Sequence, residues 1–319
     1  MAEHRIRQEI RIIVILAVLA AVVYGAFAGI TLAHKNETET NQIYYNQLLL
    51  PDSPDIIRVE HGSDCYELKK ENAQWIYTED TDLPISRVDV TFMNTTLKEL
   101  VPERIITDGG DYFSEFGLNQ PSTIITMYVD GVEKVYRIGN YNSVLGEFYL
   151  SVDESSCVYL ISVENTALIN RSLLDLVADP YATDLDASEI LAFGVKRKDG
   201  EYMAVHEDGA FTVATGDESF QCSEYRVLNI SSGFSAAEYS CSYINAGEAE
   251  LEACGLTDPV LMVEIIMADG SVLQLAAGEG NDGSYYLNEN GGDTIYKIGT
   301  SYFERLMERT SLETLRGNE

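Results

Sequence analysis

The chain has 319 residues and a mass of 35.4 kDa, room for an anchor and two small domains. Hydrophobic residues at 45% and charged residues at 23% are ordinary for a folded chain and exclude wholesale disorder. Acids number 52 against 21 Lys and Arg, a net charge of −31, which excludes a nucleic-acid binder and electrostatic docking on anionic lipid.

The first element is an uncharged apolar run from Ile12 to Ala33. At 1.5 Å per residue such a helix is roughly 33 Å long, enough for a hydrocarbon core of about 30 Å. Arg5, Arg7 and Arg11 precede it, and Lys35 alone follows closely. The positive-inside rule then leaves residues 1–11 in the cytoplasm and the rest of the chain outside it. Ala26-Phe27-Ala28 resembles a signal-peptide cleavage site, but the run exceeds the length of a secretory signal core, which favours a retained transmembrane helix. Ala17, Ala21, Gly25, Gly29 and Ala33 recur every fourth residue and form a small-residue stripe. Such a stripe lets a second helix approach closely, from a membrane partner or from another copy of this chain. Ala and Gly are also plain filler in membrane helices. Residues 34–54 read as a polar linker. Ile43, Tyr44, Tyr45 and Leu48 to Leu50 suggest a short helix near the membrane surface.

The remainder repeats itself. Phe116-Gly117-Leu118-Asn119-Gln120-Pro121 matches Cys254-Gly255-Leu256-Thr257-Asp258-Pro259 at an offset of 138. Asp130-Gly131 matches Asp269-Gly270 at 139, while Tyr149-Leu150 matches Tyr286-Leu287 and Tyr159 matches Tyr296 at 137. Trp75 matches Phe211 at 136. A nearly constant offset marks two copies, about 55–180 and 186–316, joined from Asp179-Pro180 to Asp186.

In copy one, strands are expected near 56–60, 64–70 and 74–78. A helix near 87–101 follows, capped by Ser86 with Asp89 in its first turn. Next come a helical stretch over 111–116 and the Gly-Leu-x-x-Pro element. In that element Gly117 takes the left-handed position that stops a helix, Leu118 packs back on Phe113, and Pro121 leads into a strand. Gly255, Leu256 and Pro259 repeat the device after a helix over 248–254, with Leu251 as the apolar partner. A four-strand meander follows in each copy: 122–129, 132–138, 146–152 and 157–161, then 260–267, 272–276, 283–288 and 294–298. Helices near 163–177 and 300–315 close the copies. Copy two opens with strands turned at Asp199-Gly200 and Asp208-Gly209 and a helix near 221–232. Strands clustered apart from helices give an α+β fold, mostly antiparallel.

Chemistry is sparse. Gly-x-Ser-x-Gly, His-Glu-x-x-His, Cys-x-x-Cys and phosphate-loop patterns are absent from the sequence. His61 and His206 read as surface histidines. The cysteines (Cys65, Cys157, Cys222, Cys241 and Cys254) occupy different positions in the two copies, so they form no repeated disulfide framework. Spacing allows a Cys222–Cys241 bridge. The acids of 79–82 and 179–189 lack calcium-loop spacing and read as solvated loops. Tyr141, Phe148, Tyr149 and Tyr159 cluster on one sheet, as core or as an outward binding face. No cofactor, metal or catalytic residue is expected.

The order of these features resembles a known family. A membrane helix, Trp75-Ile76-Tyr77 at a strand end, Phe-Gly-Leu-x-x-Pro, an Asp-Gly hairpin, Ile138-Gly139 and a Tyr-Leu strand pair are similar to the domain of unknown function 4340. The second copy departs from it at Phe211 and at Ala277-Gly278. The resemblance implies a bacterial, membrane-anchored auxiliary protein encoded beside ABC-type export systems, including gliding-motility-like transporters. It implies no catalytic residues. The expectation is a non-enzymatic extracytoplasmic subunit bound to an ABC-type membrane protein. The alternatives are a glycan-acting envelope enzyme with paired carboxylates, or a stand-alone solute or peptide binder.

Overall fold

The computed structural model describes residues 44–106, 109–180, 186–235 and 238–317. The N-terminal residues 1–11, the apolar run 12–33 with its stripe, and residues 34–43 of the linker lie outside the described residues. So does 181–185, within the joint between the copies. Among the described residues no helix is long and apolar enough to cross a membrane.

The fold is α+β and antiparallel. Its strands are β1 (Ile56–His61), β2 (Asp64–Glu71), β3 (Gln74–Tyr77), β4 (Arg104–Ile106), β5 (Thr123–Val129), β6 (Val132–Asn142), β7 (Glu147–Val152) and β8 (Val158–Ser162). They form one sheet in the order β3-β2-β1-β5-β6-β7-β8-β4. Helix α1 (Arg87–Lys98) follows β3, and α2 (Val163–Ile169) follows β8.

The later strands are β9 (Ile190–Arg197), β10 (Gly200–Glu207), β11 (Ala210–Thr215), β12 (Glu218–Ser223), β13 (Tyr239–Tyr243), β14 (Leu261–Met267), β15 (Val272–Glu279), β16 (Tyr285–Glu289) and β17 (Ile295–Ile298). Their sheet runs β12-β11-β10-β9-β14-β15-β16-β17-β13, the connection pattern of the first sheet with β12 added at one edge. Helices α3 (Glu224–Ser235), α4 (Glu248–Ala253), α5 (Thr300–Arg309) and α6 (Leu312–Arg316) complete the set.

The sequence offsets are reproduced by the strand register. Val59 pairs with Ile125 in the first sheet, and Val195 with Val263 in the second. Ile138 pairs with Leu150, and Ala277 with Leu287. Leu150 pairs with Tyr159, and Leu287 with Tyr296. Alternation drives each pairing, because a slip of one residue would turn every apolar side chain outward.

By compactness the chain divides into two units, and their boundary cuts across the first sheet. One unit takes the described part of Met1–Cys65 with Phe92–Asn170, and the other takes Tyr66–Thr91 with Arg171–Glu319.

In the first unit, residues 44–48 are helical, and Leu48 and Leu50 are fully buried. The Tyr159 hydroxyl donates to the Tyr44 carbonyl at 2.7 Å, Lys134 Nζ to the Gln47 carbonyl at 2.6 Å, and Leu50 N to the Leu97 carbonyl at 2.9 Å. The stretch assigned to the linker therefore belongs to the folded body from residue 44 onward.

In the second unit, the inner face of the β9–β17 sheet holds Phe193, Val195, Phe211, Val213, Ile265 and Leu275 against Phe234, Phe303, Leu306 and Leu315 of the helices. The Tyr202 hydroxyl donates to the Thr310 carbonyl and Arg197 Nη1 to the Met307 carbonyl, which pins the helical layer to the sheet.

Six elements differ from the sequence reading. The stretch 111–116 holds a short 3-10 helix at Gly109–Tyr112 followed by turns. The helix expected over 163–177 ends at Ile169, where Asn170 caps it. Beyond it the chain makes a 3-10 turn at Leu174–Leu176 and then passes beside 84–86: Ser86 N donates to the Leu176 carbonyl and Ala178 N to the Pro84 carbonyl, each at 2.8 Å. The helix expected over 300–315 breaks at Thr310, because the Ser311 side chain caps a new helix through Thr314 N. Residues 218–223 are strand β12, so α3 starts only at Glu224. The edge strands β4 and β13 are additional; they have three and five residues.

Candidate functional site

The repeated Gly-Leu-x-x-Pro element is a packing device. Gly117 and Gly255 have φ of +73° and +69°. Gly117 N donates to the Ser114 carbonyl and Leu118 N to the Phe113 carbonyl. Gly255 N and Leu256 N donate in the same way to Glu252 and Leu251. Both are Schellman helix ends. Leu118 is buried, and Leu256 packs with Leu251 against the cluster of Cys254, Tyr286 and Ile295. Pro121 and Pro259 stand two residues before β5 and β14.

Each helix end lies directly on a strand. A Cβ on Gly139 would come 2.2 Å from the Phe116 carbonyl oxygen, and one on Gly278 would come 2.4 Å from that of Gly255. The Gly139 and Gly278 positions are thus fixed by backbone approach, and the change from Ile138 to Ala277 beside them leaves that approach intact.

A concavity lies elsewhere, on the open face of the second sheet. It encloses about 440 Å³ over Gly194 on β9. The register builds it: Gly194 pairs with Met203 on β10 and with Glu264 on β14, and Lys196 pairs with Glu201 and Met262. Gly194 keeps the floor low, and the Met203 side chain lies over it, its methyl 3.3 Å from where a Cβ would stand. Met203 and Met262 form apolar walls, each 40% exposed, and thioethers adapt readily to an irregular occupant. Lys196, Glu201, Glu264 and Gln274 supply a polar rim, with Gln274 Nε2 donating to Glu264 Oε2 at 2.9 Å. The volume falls within the range of about 300–1,000 Å³ usual for a ligand pocket. Tyr202, whose backbone lines the floor, is a structural tyrosine: burial raises it well above the ordinary range, and its hydroxyl is committed to Thr310.

The first sheet carries different residues at the matching place. Register puts Arg58 where Gly194 stands, Ile124 for Met262 and Thr126 for Glu264. No local motif marks the groove, because five strands contribute to it and Gly194 signals only by lacking a side chain.

The aromatic cluster divides. Tyr159 is core, and burial raises its hydroxyl above the ordinary tyrosine range. Tyr149 stacks on Phe116 with centroids 4.3 Å apart, and Tyr141, half exposed, leans on Phe148 at 5.0 Å.

The histidines are not plain surface residues. His61 Nδ1 lies 2.6 Å from Thr123 Oγ1, which donates to Asn170 Oδ1 at 2.6 Å, and Thr123 is fully buried. His206 is half-buried and stacks on Phe211 at 4.8 Å. All five cysteines are free thiols, so the Cys222–Cys241 bridge is absent. Asp186 accepts hydrogen bonds from its own loop at Ser188, which makes it a turn former.

The arrangement of Trp75, the helix-stop motif and Ile138-Gly139 can now be set against known families. Residues 75–210 match the model of the domain of unknown function DUF4340. The sequence resemblance is to this same family. The DUF4340 match begins on β3, takes in the first helix-stop motif with its meander, and ends as β11 begins. It therefore spans parts of both sheets and does not stop at the boundary of the sequence repeat. Among curated proteins, none matches the chain.

Proposed function

We propose that this chain is a non-enzymatic, membrane-anchored extracytoplasmic binding subunit of an ABC-type transport system, built from two tandem copies of one α+β domain. Residues 12–33 act as its transmembrane helix, with residues 1–11 cytoplasmic, and the Ala17–Ala33 stripe packs on the membrane partner. The equal strand order of the two sheets supports the tandem reading. The ABC-type assignment draws on the family resemblance.

The observation that carries the binding role is the Met203–Gly194–Met262 groove, open and apolar with a mixed-charge rim. It suits an apolar side chain on an extended peptide segment of the partner, with rim groups reaching the peptide's polar atoms. A photo-crosslinking residue at Met203, in native membranes, tests this. The expected result is one crosslinked ABC-type membrane protein, reduced at least about tenfold by Met262→Glu, since a carboxylate facing the apolar insert would be desolvated. Crosslinking unchanged by Met262→Glu contradicts the groove. Loss of the same partner from a mild-detergent pull-down of Gly25→Leu/Gly29→Leu would place the second contact in the membrane helix.

A second reading has one specific observation behind it. Glu201 and Glu264 share the groove, two strands apart, as a carboxylate pair would. Glycan hydrolysis needs one acid shielded enough to hold its proton, whereas Glu201 is exposed to water. Glycan turnover that disappears in Glu201→Gln would establish this reading over the first.

A further inference from the structure

The β6–β7 hairpin of the first unit ends in an uncharged tip, Tyr141-Asn142-Ser143-Val144-Leu145-Gly146. Val144 is 90% exposed, and Tyr141, Leu145 and Tyr112 are exposed as well. The rings stand in separate contacts on the two faces of the hairpin: Phe148 beside Tyr141, and Phe116 against Tyr112 and Tyr149. Asn142 Oδ1 accepts from the backbone of Val144 and Leu145 at 3.1 Å, which satisfies the turn internally. Asn142 Nδ2 donates to the Tyr149 hydroxyl at 2.8 Å. With these amides covered and the Val144 and Leu145 side chains bare, the tip enters an apolar phase at reduced desolvation cost.

The place where the folded chain begins supplies the occupant. The described body starts at Tyr44, whose carbonyl is bonded to Tyr159, and Tyr159 shares a rung with Leu150 and Ile138. Gln47 is bonded to Lys134, four residues farther than Ile138 from the β6–β7 turn. The chain thus enters the unit from the side of the hairpin tip. The apolar run ends at Ala33, and the intervening residues 34–43 reach at most about 35 Å.

We infer that the β6–β7 tip dips Val144 and Leu145 into the lipid bilayer that holds the anchor, with Tyr141 and Tyr112 at the headgroup level. This rests on the membrane-anchored reading above. Tyr is favoured at that depth. The contact is apolar and unaffected by salt, because the chain's net charge of −31 gives anionic headgroups nothing to attract. The matching hairpin of the second sheet is built from Asn281-Asp282-Gly283-Ser284 and stays in water, with Asp282 accepting from the Tyr286 hydroxyl at 3.0 Å.

The chain has one tryptophan, buried Trp75, so a new indole at the tip reads out cleanly. The full-length Val144→Trp and Asn281→Trp variants are reconstituted in phosphatidylcholine vesicles with and without brominated acyl chains. Trp75 of the unaltered chain serves as the baseline. The expected result is co-flotation of both variants, with about twofold bromolipid quenching and a blue shift for Val144→Trp alone, the same in low and high salt. Co-flotation with unquenched, water-like emission from Val144→Trp overturns the tip contact and leaves the anchor standing. Equal quenching at Asn281→Trp overturns the assignment to the first hairpin. Failure to float overturns the tip and the anchor together.

Discussion

The two sheets share one strand order and differ in which outer surface they leave bare. In the first, Arg58 stands where the second has Gly194, and Ile124 stands where it has Met262. Its hairpin tip and its helix-stop motif carry Phe116, Tyr141, Phe148 and Tyr149. In the second, the matching motif carries Cys254, tucked under Tyr286, and the matching hairpin is polar. What stayed constant is backbone packing: the Schellman end, the glycine beneath it and the cross-strand register. What diverged is solvent-facing side chains, which the fold does not constrain. Two sheets of matching strand order thus carry two different surfaces, and each can be altered without touching the packing beneath.

The largest effect is expected at the shared glycines. Gly139→Val and Gly278→Val each force a side chain into a backbone carbonyl that cannot move aside. Each variant should lose about 3 kcal/mol or more in urea unfolding, or fail to fold. Losses under about 0.5 kcal/mol in either would break the claim that both sheets depend on the same approach.

The leucines that follow the motif glycine sharpen the contrast. Leu118 is 3% exposed, while Leu256 is only half-buried. Leu118→Ala should cost about 2–4 kcal/mol and Leu256→Ala about half that, by thermal or urea denaturation. The reverse order would show that the second motif is the better packed one.

Tyrosines give a smaller effect of opposite sign. Tyr159, Tyr202, Tyr239 and Tyr296 each donate to a backbone carbonyl. The Tyr136 hydroxyl is buried with no hydrogen-bond partner among the described residues, and its register equivalent is Leu275. Tyr136→Phe should therefore stabilise the fold by about 1 kcal/mol. Burial raises all five hydroxyls above the ordinary range. The native state keeps protons that the unfolded chain releases. That stability is complete below about pH 10 and falls as pH rises beyond it. A Tyr136→Phe variant should lose less of its stability on the alkaline side than the parent chain.

The thiols offer a probe without substitution. Cys65 is exposed, whereas burial holds Cys241 at about 11 and also raises Cys157, Cys222 and Cys254. Iodoacetamide at pH 8 should label Cys65 first and the other four only on unfolding, read by peptide mass spectrometry. Early labelling of Cys254 would show that the second motif opens in the native state.

The meander strands and the helix stops were legible because alternation, Asp-Gly turns and a glycine-leucine pair are local signals. The edge strands β4 and β13 were not, since Arg104–Ile106 and Tyr239–Tyr243 have no alternation of their own and are strands only through β8 and β17. The 171–178 segment reads as helical because Leu173, Leu176 and Val177 fit a helical face; it keeps only a 3-10 turn at Leu174–Leu176, and its pairing with 84–86 is long-range. The break at Thr310-Ser311 was readable in principle, as Ser311 is a good N-cap. The groove was beyond sequence reading, because Gly194, Met203, Met262 and Glu264 meet only after three strands take their register.

One exchange between the sheets tests the account most directly. Gly194→Arg puts the first sheet's residue into the groove of the second, and a Cβ there meets the Met203 methyl at 3.3 Å, the Met203 sulfur at 3.7 Å and the Tyr202 carbonyl oxygen at 4.0 Å. The full-length chain and this variant are compared by thermal unfolding and by mild-detergent pull-down from native membranes. The account predicts an unchanged melting temperature and loss of an ABC-type membrane subunit that the parent chain retains. Recovery of that subunit at the parent level, in a variant as stable as the parent, would contradict it.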